Sequence, residues 1–108
     1  MTPSSFITMP LRSELMTSIE TLGYESMTAI QEQALPHLLK DLDLIGQATT
    51  GSGKTAAFAI GLLNKLDAQL YFTQALVLCP TRELADQVAS EIRRLASAIP
   101  NIKLLALC

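Results

Sequence analysis

The stretch "ATTGSGKT", Ala48 to Thr55, decides the fold, because it places two glycines and a lysine between two apolar segments. A run this rich in glycine and hydroxyl side chains favours neither helix nor strand. The segment before it, Asp43–Ala48, is short and apolar, which predicts a buried strand. The segment after it, Lys54–Leu66, is apolar on most faces, which predicts a deeply buried helix. The stretch is therefore predicted to be a loop that joins a strand to a helix.

A glycine-rich loop in this position is suited to binding phosphate. Its glycines allow backbone N–H groups to turn inward around phosphate oxygens, and the helix N-terminus adds partial positive charge. Lys54 is placed to reach the β- and γ-phosphates of a nucleotide, and the Thr55 hydroxyl is placed to bind Mg²⁺. The alternative is an ordinary turn ahead of a helix. We predict a P-loop whose nucleotide-binding residues are Thr50, Gly51, Ser52, Gly53, Lys54 and Thr55.

Periodicity predicts three further helices. Apolar residues recur at helical spacing over Leu11–Leu22, and Gly23 follows at a C-cap position. Thr28 is predicted to cap a second helix, which Pro36 should bend or break at the residue before it. A long amphipathic helix is predicted over Thr81–Ala98. Its buried face would carry four apolar residues: Leu84, Val88, Ile92 and Leu95.

Two more apolar segments predict buried strands. They are Gln74–Cys79, which is stopped by Pro80, and Ile102–Cys108. Strands and helices alternate with no hairpin signal between them, which is typical of parallel sheets. The predicted fold class is therefore α/β, with a parallel sheet that is incomplete and is preceded by an N-terminal helical region.

Composition limits the class of protein. The chain has 108 residues, so it holds at most one domain, and a net charge of −2 weakens any argument for nucleic-acid binding from charge alone. No apolar run is long enough to predict a membrane helix, and the start does not have the pattern of a secretory signal. Cys79 and Cys108 are predicted to be buried free thiols, which favours a cytoplasmic protein.

Three motifs together resemble the DEAD-box ATP-dependent RNA helicases, over most of the chain. "GYESMTAIQ", Gly23–Gln31, resembles their Q motif, with Phe6 seventeen positions upstream of its first residue. "PTRELA", Pro80–Ala85, matches their motif Ia. "ATTGSGKT" matches their A-x-T-G-x-G-K-T form of motif I, in which Ala48 is the family residue in place of the first glycine of the general P-loop pattern. The resemblance implies the RecA-like version of the P-loop fold.

The resemblance implies that Gln31 and Phe6 bind adenine. A glutamine amide can donate to and accept from one adenine edge, which would select ATP over GTP, and Phe6 could stack on the base. Without the resemblance, Gln31 would be interpreted as an ordinary solvated helix residue, and the alternative for Phe6 is a core aromatic. Ala29 replaces the usual proline of the Q motif but leaves Gln31 in place, and Tyr24 is expected to pack rather than to bind.

The resemblance also implies RNA binding by Pro80, Thr81 and Arg82. A hydroxyl, a guanidinium and free N–H groups at a helix start can hold a nucleic-acid phosphate without reading sequence. The alternative is simple helix entry, with Glu83 placed against the helix dipole. The stretch "ALVLCPTRELADQVASEIRRLA" is most similar to a bacterial family member that acts on large-subunit ribosomal RNA, so the expected partner is ribosomal RNA.

The family's motif II and its second RecA-like domain do not occur in this sequence. We therefore expect residues 1–42 to be an N-terminal helical region with the Q motif, and residues 43–108 to be the first part of a RecA-like domain of a longer parent protein. That parent is expected to be an ATP-dependent RNA helicase in which Lys54 and Thr55 act on ATP and Mg²⁺. Another P-loop ATPase (a DNA helicase or a transport ATPase) and a non-catalytic nucleotide-binding scaffold are the alternatives.

Overall fold

Four α-helices and one short 3₁₀ turn make up the regular structure of the residues that the structure describes. The computed structural model describes residues 5–24, 26–49 and 53–107. The 3₁₀ turn spans Phe6–Thr8 and precedes α1, Ser13–Thr21. The remaining helices are α2, Ala29–Leu39; α3, Lys54–Lys65; and α4, Arg82–Leu95. Among the described residues no helix combines the length and the hydropathy that a membrane span requires.

The end of α1 confirms the predicted glycine cap. Gly23 has φ +80°, a left-handed conformation that a side chain would strain. Its N–H donates to the Glu20 carbonyl at 3.0 Å, and the Tyr24 N–H donates to the Ile19 carbonyl at 3.1 Å. These two bonds satisfy carbonyls that the helix itself leaves without partners. The chain therefore turns sharply after α1 and leads Tyr24 back toward the core.

Helix α2 begins after Thr28 as predicted, but it does not break at Pro36. The helix continues through Pro36 to Leu39. Proline removes one helix hydrogen bond, and packing on both sides of it compensates for that loss. Leu35 is fully buried, and Leu38 packs so closely on α3 that a Cβ added to Gly61 would lie 3.1 Å from the Leu38 Cβ. Tertiary packing overrides the local helix-breaking preference.

Helix α3 is the centre of the core, as its sequence predicts. It packs against α1, α2 and α4. Ala59, Ile60 and Leu63 are fully buried. Burying a side chain such as Ile60 or Leu63 stabilises the fold by about 1.5–3 kcal/mol. The same core takes side chains from the predicted N-terminal region and from the predicted nucleotide-binding region, including Phe6, Leu15, Ile19, Leu35, Val88 and Ile92.

Arg12 fixes the C-terminal end of α3. Its guanidinium donates to the carbonyl of Leu66 at 2.6 Å and to that of Leu63 at 3.3 Å. Its backbone N–H donates to Asn64 Oδ1 at 2.8 Å. The last carbonyls of a helix lack intrahelical partners and carry partial negative charge, so a cation is favourable there. The segment before α1 is thereby attached to the far end of the helix that begins at Lys54.

Helix α4 is shorter than predicted. Thr81 caps it, but it ends at Leu95 instead of Ala98, and a turn follows. The Ala98 N–H donates to Ser18 Oγ at 3.0 Å, a fully buried hydroxyl on α1. This bond to a neighbouring helix takes the place of one more helical turn. The predicted apolar face of α4 includes Leu84, but this residue is 38% exposed.

The three predicted strands are not paired in this structure. Residues 43–48, 74–79 and 102–107 have no regular hydrogen-bonded structure, and the structure pairs Ser5 with Ser26 in an isolated antiparallel bridge. The apolar side chains of these segments are largely exposed: Ile45 92%, Leu76 80%, Leu78 84%, Leu105 80% and Leu107 82%. A strand gains hydrogen bonds and burial only from neighbours, so apolar composition alone does not form a sheet. Cys79 is half-buried instead of buried, and Cys108 lies outside the described residues.

These exposed segments predict that the 108-residue chain by itself self-associates. Apolar side chains and unpaired backbone groups in three segments provide a template for pairing with other copies. We expect concentration-dependent association in sedimentation velocity and a broad thermal transition. Ile45→Lys, Leu78→Lys and Leu107→Lys together should reduce association, because they replace exposed apolar side chains without touching the core. A monomeric wild-type chain with one sharp melting transition would contradict this prediction.

Candidate functional site

The described part of the predicted phosphate loop ends in a glycine with a left-handed backbone conformation. Gly53 has φ +87° and forms the N-cap of α3, so Lys54 and Thr55 are the first two residues of that helix. The predicted residues Thr50, Gly51 and Ser52 lie outside the described residues. The N-terminal N–H groups of α3 face the loop with no intrahelical acceptors, which is the arrangement that favours an anion.

Gly53 also lies in close contact with α2. A Cβ at this position would lie 2.5 Å from Gln31 Nε2 and 3.0 Å from Thr28 Oγ1. The left-handed φ and the missing space exclude a side chain for two independent reasons. Position 53 therefore requires glycine for packing against the predicted Q motif as well as for turning the loop.

Gln31 joins the predicted Q motif to the phosphate loop. Its Nε2 donates to the Gly53 carbonyl at 3.0 Å, and its Oε1 accepts from the Thr28 N–H at 2.9 Å. The side chain is 5% exposed, so the alternative of a solvated helix residue is wrong. A primary amide has a second N–H and a second lone pair, so both ends keep one hydrogen bond available for a ligand. Adenine recognition by Gln31 stays a prediction.

Lys54 is exposed, which is compatible with its predicted contact with a phosphate. Its Nζ donates to the Ala48 carbonyl at 2.8 Å, across the loop that connects the two residues. This contact holds the ammonium at the loop, where a phosphate would give it a stronger, charge-assisted partner. Thr55 follows on α3 and is half-buried. Its role as a Mg²⁺ ligand also stays a prediction.

Phe6 lies in the core and packs against Tyr24. The two rings are stacked with centroids 6.3 Å apart and planes at 28°, and Phe6 is 2% exposed. Both rings line a cavity of about 360 Å³, which Ser5, Met16 and Glu20 also line. The core position predicted as the alternative for Phe6 is therefore the observed one, and stacking on adenine would require its surroundings to open. That role stays a prediction.

Tyr24 packs, as expected, and also makes a long-range hydrogen bond. Its hydroxyl donates to Glu91 Oε1 on α4 at 2.6 Å. Burial of the phenol and this bond to a carboxylate raise the pKa of Tyr24 above its ordinary value, because both favour the neutral form. The sequence gives no signal for this pair, because its members are 67 positions apart.

Pro80, Thr81 and Arg82 are exposed together at the start of α4. Thr81 Oγ1 accepts from the Leu84 N–H at 3.1 Å, which caps the helix and leaves the hydroxyl proton free to donate. Within the described ranges the Arg82 guanidinium forms no ion pair. Helix entry and phosphate binding are therefore compatible at this position, and the RNA contact stays a prediction.

The structure brings some of the predicted site residues into contact and leaves others apart. Gln31 and Gly53 touch, whereas Phe6 contacts Tyr24 and makes no recorded ring contact or hydrogen bond with Gln31. In the part of the chain that the structure describes, no three acidic, histidine or cysteine side chains form a metal-binding group. Mg²⁺ on a nucleotide needs no such group, since phosphate oxygens and waters supply most of its ligands.

Comparisons with known proteins agree on one family. The DEAD/DEAH box helicase model matches residues 28–108. The chain is 61% identical over 93 residues to the ATP-dependent RNA helicase DbpA of Escherichia coli, which covers 86% of this chain and 20% of DbpA. The chain thus spans about a fifth of the length of that relative.

Solved structures are similar in fold. Saccharomyces cerevisiae Dbp5 bound to RNA and ADP BeF3 matches with a TM-score of 0.83 at 34% identity, over 88% of this chain and 25% of that one. A DEAD box protein from the hyperthermophile Methanococcus jannaschii matches with a TM-score of 0.79 at 41% identity, over 84% of this chain and 25% of that one. The predicted fold class, an incomplete RecA-like α/β domain, is confirmed.

Gly53→Ala tests the contact between the loop and α2. Gly23→Ala is a matched control, because Gly23 has a similar φ of +80° but no atom within 4 Å of an added Cβ. In the parent protein the control should lose about 1–2 kcal/mol of unfolding free energy through backbone strain alone. Gly53→Ala should lose about 1–3 kcal/mol more, measured by denaturant titration, because its Cβ displaces Gln31. Equal losses of unfolding free energy in the two variants would show that the close contact between Gly53 and α2 does not contribute to stability.

Proposed function

Because the chain belongs to the DEAD/DEAH box helicase family, we propose that it supplies the ATP-binding loop and part of the RNA-binding surface of an ATP-dependent RNA helicase. The observation that carries this proposal is the hydrogen bond between Gln31 and Gly53, at 3.0 Å. It attaches a residue able to read adenine directly to the backbone of a phosphate loop. This hydrogen bond therefore links the residue proposed to bind the base with the loop proposed to bind the phosphates.

ATP is the nucleotide that this arrangement fits best. Lys54 and the N-terminus of α3 supply positive charge for the phosphates, and Gly53 leaves the loop free of side-chain bulk. The remaining N–H and lone pair of Gln31 match the N7 acceptor and N6 donor of adenine, whereas guanine offers the O6 acceptor in place of a donor. Phe6 would add stacking on the base once the cavity beside it opens.

Thr55 would hold Mg²⁺ through its hydroxyl, together with phosphate oxygens. A bound Mg²⁺ neutralises charge that develops on the phosphates during transfer. The chain's own contribution would be to fix the phosphates, with backbone N–H groups of the loop donating to them and Lys54 contacting them as a point charge. Release of Lys54 from the Ala48 carbonyl would accompany nucleotide binding.

RNA would bind at the start of α4, where Pro80, Thr81 and Arg82 are exposed. An Arg82 guanidinium without an ion pair in the described ranges can bind a phosphate in a bidentate manner. Backbone contacts of this kind hold the strand without reading its sequence. The similarity to Dbp5, solved with RNA and ADP BeF3, supports binding of a nucleotide and an RNA strand by the same protein.

The parent protein would couple ATP hydrolysis to the separation of short RNA duplexes, with a second RecA-like domain completing the site. Similarity to the ATP-dependent RNA helicase DbpA supports the helicase activity. The sequence resemblance supports ribosomal RNA remodelling or large-subunit assembly as its task, and the free thiols expected at Cys79 and Cys108 favour the cytoplasm as its location. In this cycle ATP and RNA would draw the two domains together, and hydrolysis would reset them.

The nucleotide preference tests the role of Gln31. We expect the parent protein to use ATP in strong preference to GTP, and Gln31→Ala to reduce the ratio of the two kcat/KM values by roughly tenfold, the effect of losing about 1.4 kcal/mol. Gln33→Ala is the matched control, since Gln33 lies on the same helix and is exposed. Equal use of GTP by the unchanged protein would revive the alternative of a different P-loop ATPase.

Lys54→Ala tests the phosphate loop. It should abolish RNA-stimulated ATP hydrolysis by the parent protein with little change in melting temperature, because the exposed ammonium leaves no buried partner unsatisfied. Lys65→Ala, at the other end of α3, is the control. It should lose only an ion pair with Asp41 at 2.9 Å, worth less than about 1 kcal/mol. Turnover that survives Lys54→Ala would show that the loop does not act on phosphate.

A further inference from the structure

Helix α4 projects its predicted RNA-binding end away from the core. Its buried residues, Val88, Ala89, Ile92 and Leu95, begin at the seventh of its fourteen residues. Before Val88 only Ala85 is even half-buried. The direction in which Arg82 points is therefore set by contacts made further along the helix, because an α-helix behaves as a rigid rod over this length.

The hydrogen bond from Tyr24 to Glu91 is made in the second half of α4. Glu91 follows Arg82 by nine residues, about 13 Å along the helix axis. Its Oε1 accepts from the Tyr24 hydroxyl at 2.6 Å, and its Oε2 accepts from Arg94 at 3.1 Å. With 18% of its side chain exposed, Glu91 is held by a partner on each oxygen. A small shift of Tyr24 would rotate or tilt α4 and move Arg82 with it.

The ring of Tyr24 adjoins Phe6, the residue proposed to stack on adenine. The two rings are stacked, and both line one cavity of about 360 Å³. Tyr24 also begins the short segment that leads to Thr28, the residue whose N–H holds Gln31. Opening the surroundings of Phe6 to admit a base would therefore act first on Tyr24.

We propose that Tyr24 is a positioning residue that couples nucleotide binding beside Phe6 and Gln31 to phosphate binding at Arg82, through its hydrogen bond to Glu91. The proposal rests on the proposed function, because it requires ATP at the first site and RNA at the second. In this proposal Tyr24 itself contacts neither ATP nor RNA. Coupling of this kind is reciprocal: what ATP does to RNA affinity, RNA does to ATP affinity.

Tyr24→Phe separates coupling from packing. The substitution keeps the ring on Phe6 and removes only the hydroxyl, while Arg94 continues to pair with Glu91. Tyr71→Phe is the matched control, because Tyr71 is 90% exposed. Glu91→Ala removes the acceptor, and Glu91→Gln keeps an amide oxygen that can still accept from the phenol.

The experiment measures ATP hydrolysis by the full-length parent protein with and without purified bacterial ribosomal RNA. Tyr24→Phe and Glu91→Ala should each raise the RNA concentration for half-maximal stimulation by roughly fivefold or more, the lower end of common coupling strengths. The KM for ATP without RNA should stay close to the wild-type value. Combining the two substitutions should add nothing further, and Glu91→Gln should restore most of the coupling.

Three results would overturn the proposal. In the first, RNA stimulates the wild-type protein but Tyr24→Phe leaves its half-saturation unchanged, which refutes the coupling and leaves the proposed function intact. In the second, Tyr24→Phe lowers the melting temperature and weakens ATP and RNA binding equally, which assigns Tyr24 a purely structural role. In the third, RNA does not stimulate the wild-type protein at all, which refutes the proposed function and the coupling with it.

Discussion

The close approach of Gln31 to Gly53 is the constraint on which the site depends. An amide nitrogen 3.0 Å from a backbone carbonyl leaves no volume for a Cβ, and the left-handed φ of Gly53 excludes one independently. Because Gly53 also starts α3, the contact sets where the helix N-terminus lies relative to α2. The Gln31 amide is 5% exposed and forms hydrogen bonds at both ends, which fix the orientation of its contact with Gly53.

Helix α3 connects this contact to the rest of the molecule. Its N-terminus follows the predicted phosphate loop, its middle buries Ala59 and Ile60 completely, and its C-terminus receives the Arg12 guanidinium. Hydrogen bonds to a charged group are worth about 1.5–3 kcal/mol, comparable with the burial of one large apolar side chain. Both ends of the helix are therefore fixed by polar contacts from sequence-distant segments, and a displacement at either end is transmitted to the other by a rigid element.

The unpaired segments show what a sheet requires beyond composition. Residues 43–48, 74–79 and 102–107 have the apolar character of buried strands, yet their side chains are mostly exposed. The chain nevertheless matches the fold of solved DEAD-box proteins with TM-scores of 0.79 and 0.83. Helices satisfy their hydrogen bonds within one segment, whereas strands satisfy them only between segments, so the helical layer forms where the strands find no partners.

The sequence by itself determined the local features: the glycine after α1, the Thr28 and Thr81 caps, and the extent of α3 from Lys54 onward. These depend on neighbours within a few residues, which sequence spacing reveals directly. Only the tertiary structure decided that α2 passes through Pro36, that α4 ends at Leu95, that Gln31 is buried against Gly53, and that Tyr24 reaches Glu91. Each of these outcomes is a contact between residues far apart in the chain, whose free energy outweighs a local preference that the sequence alone displays.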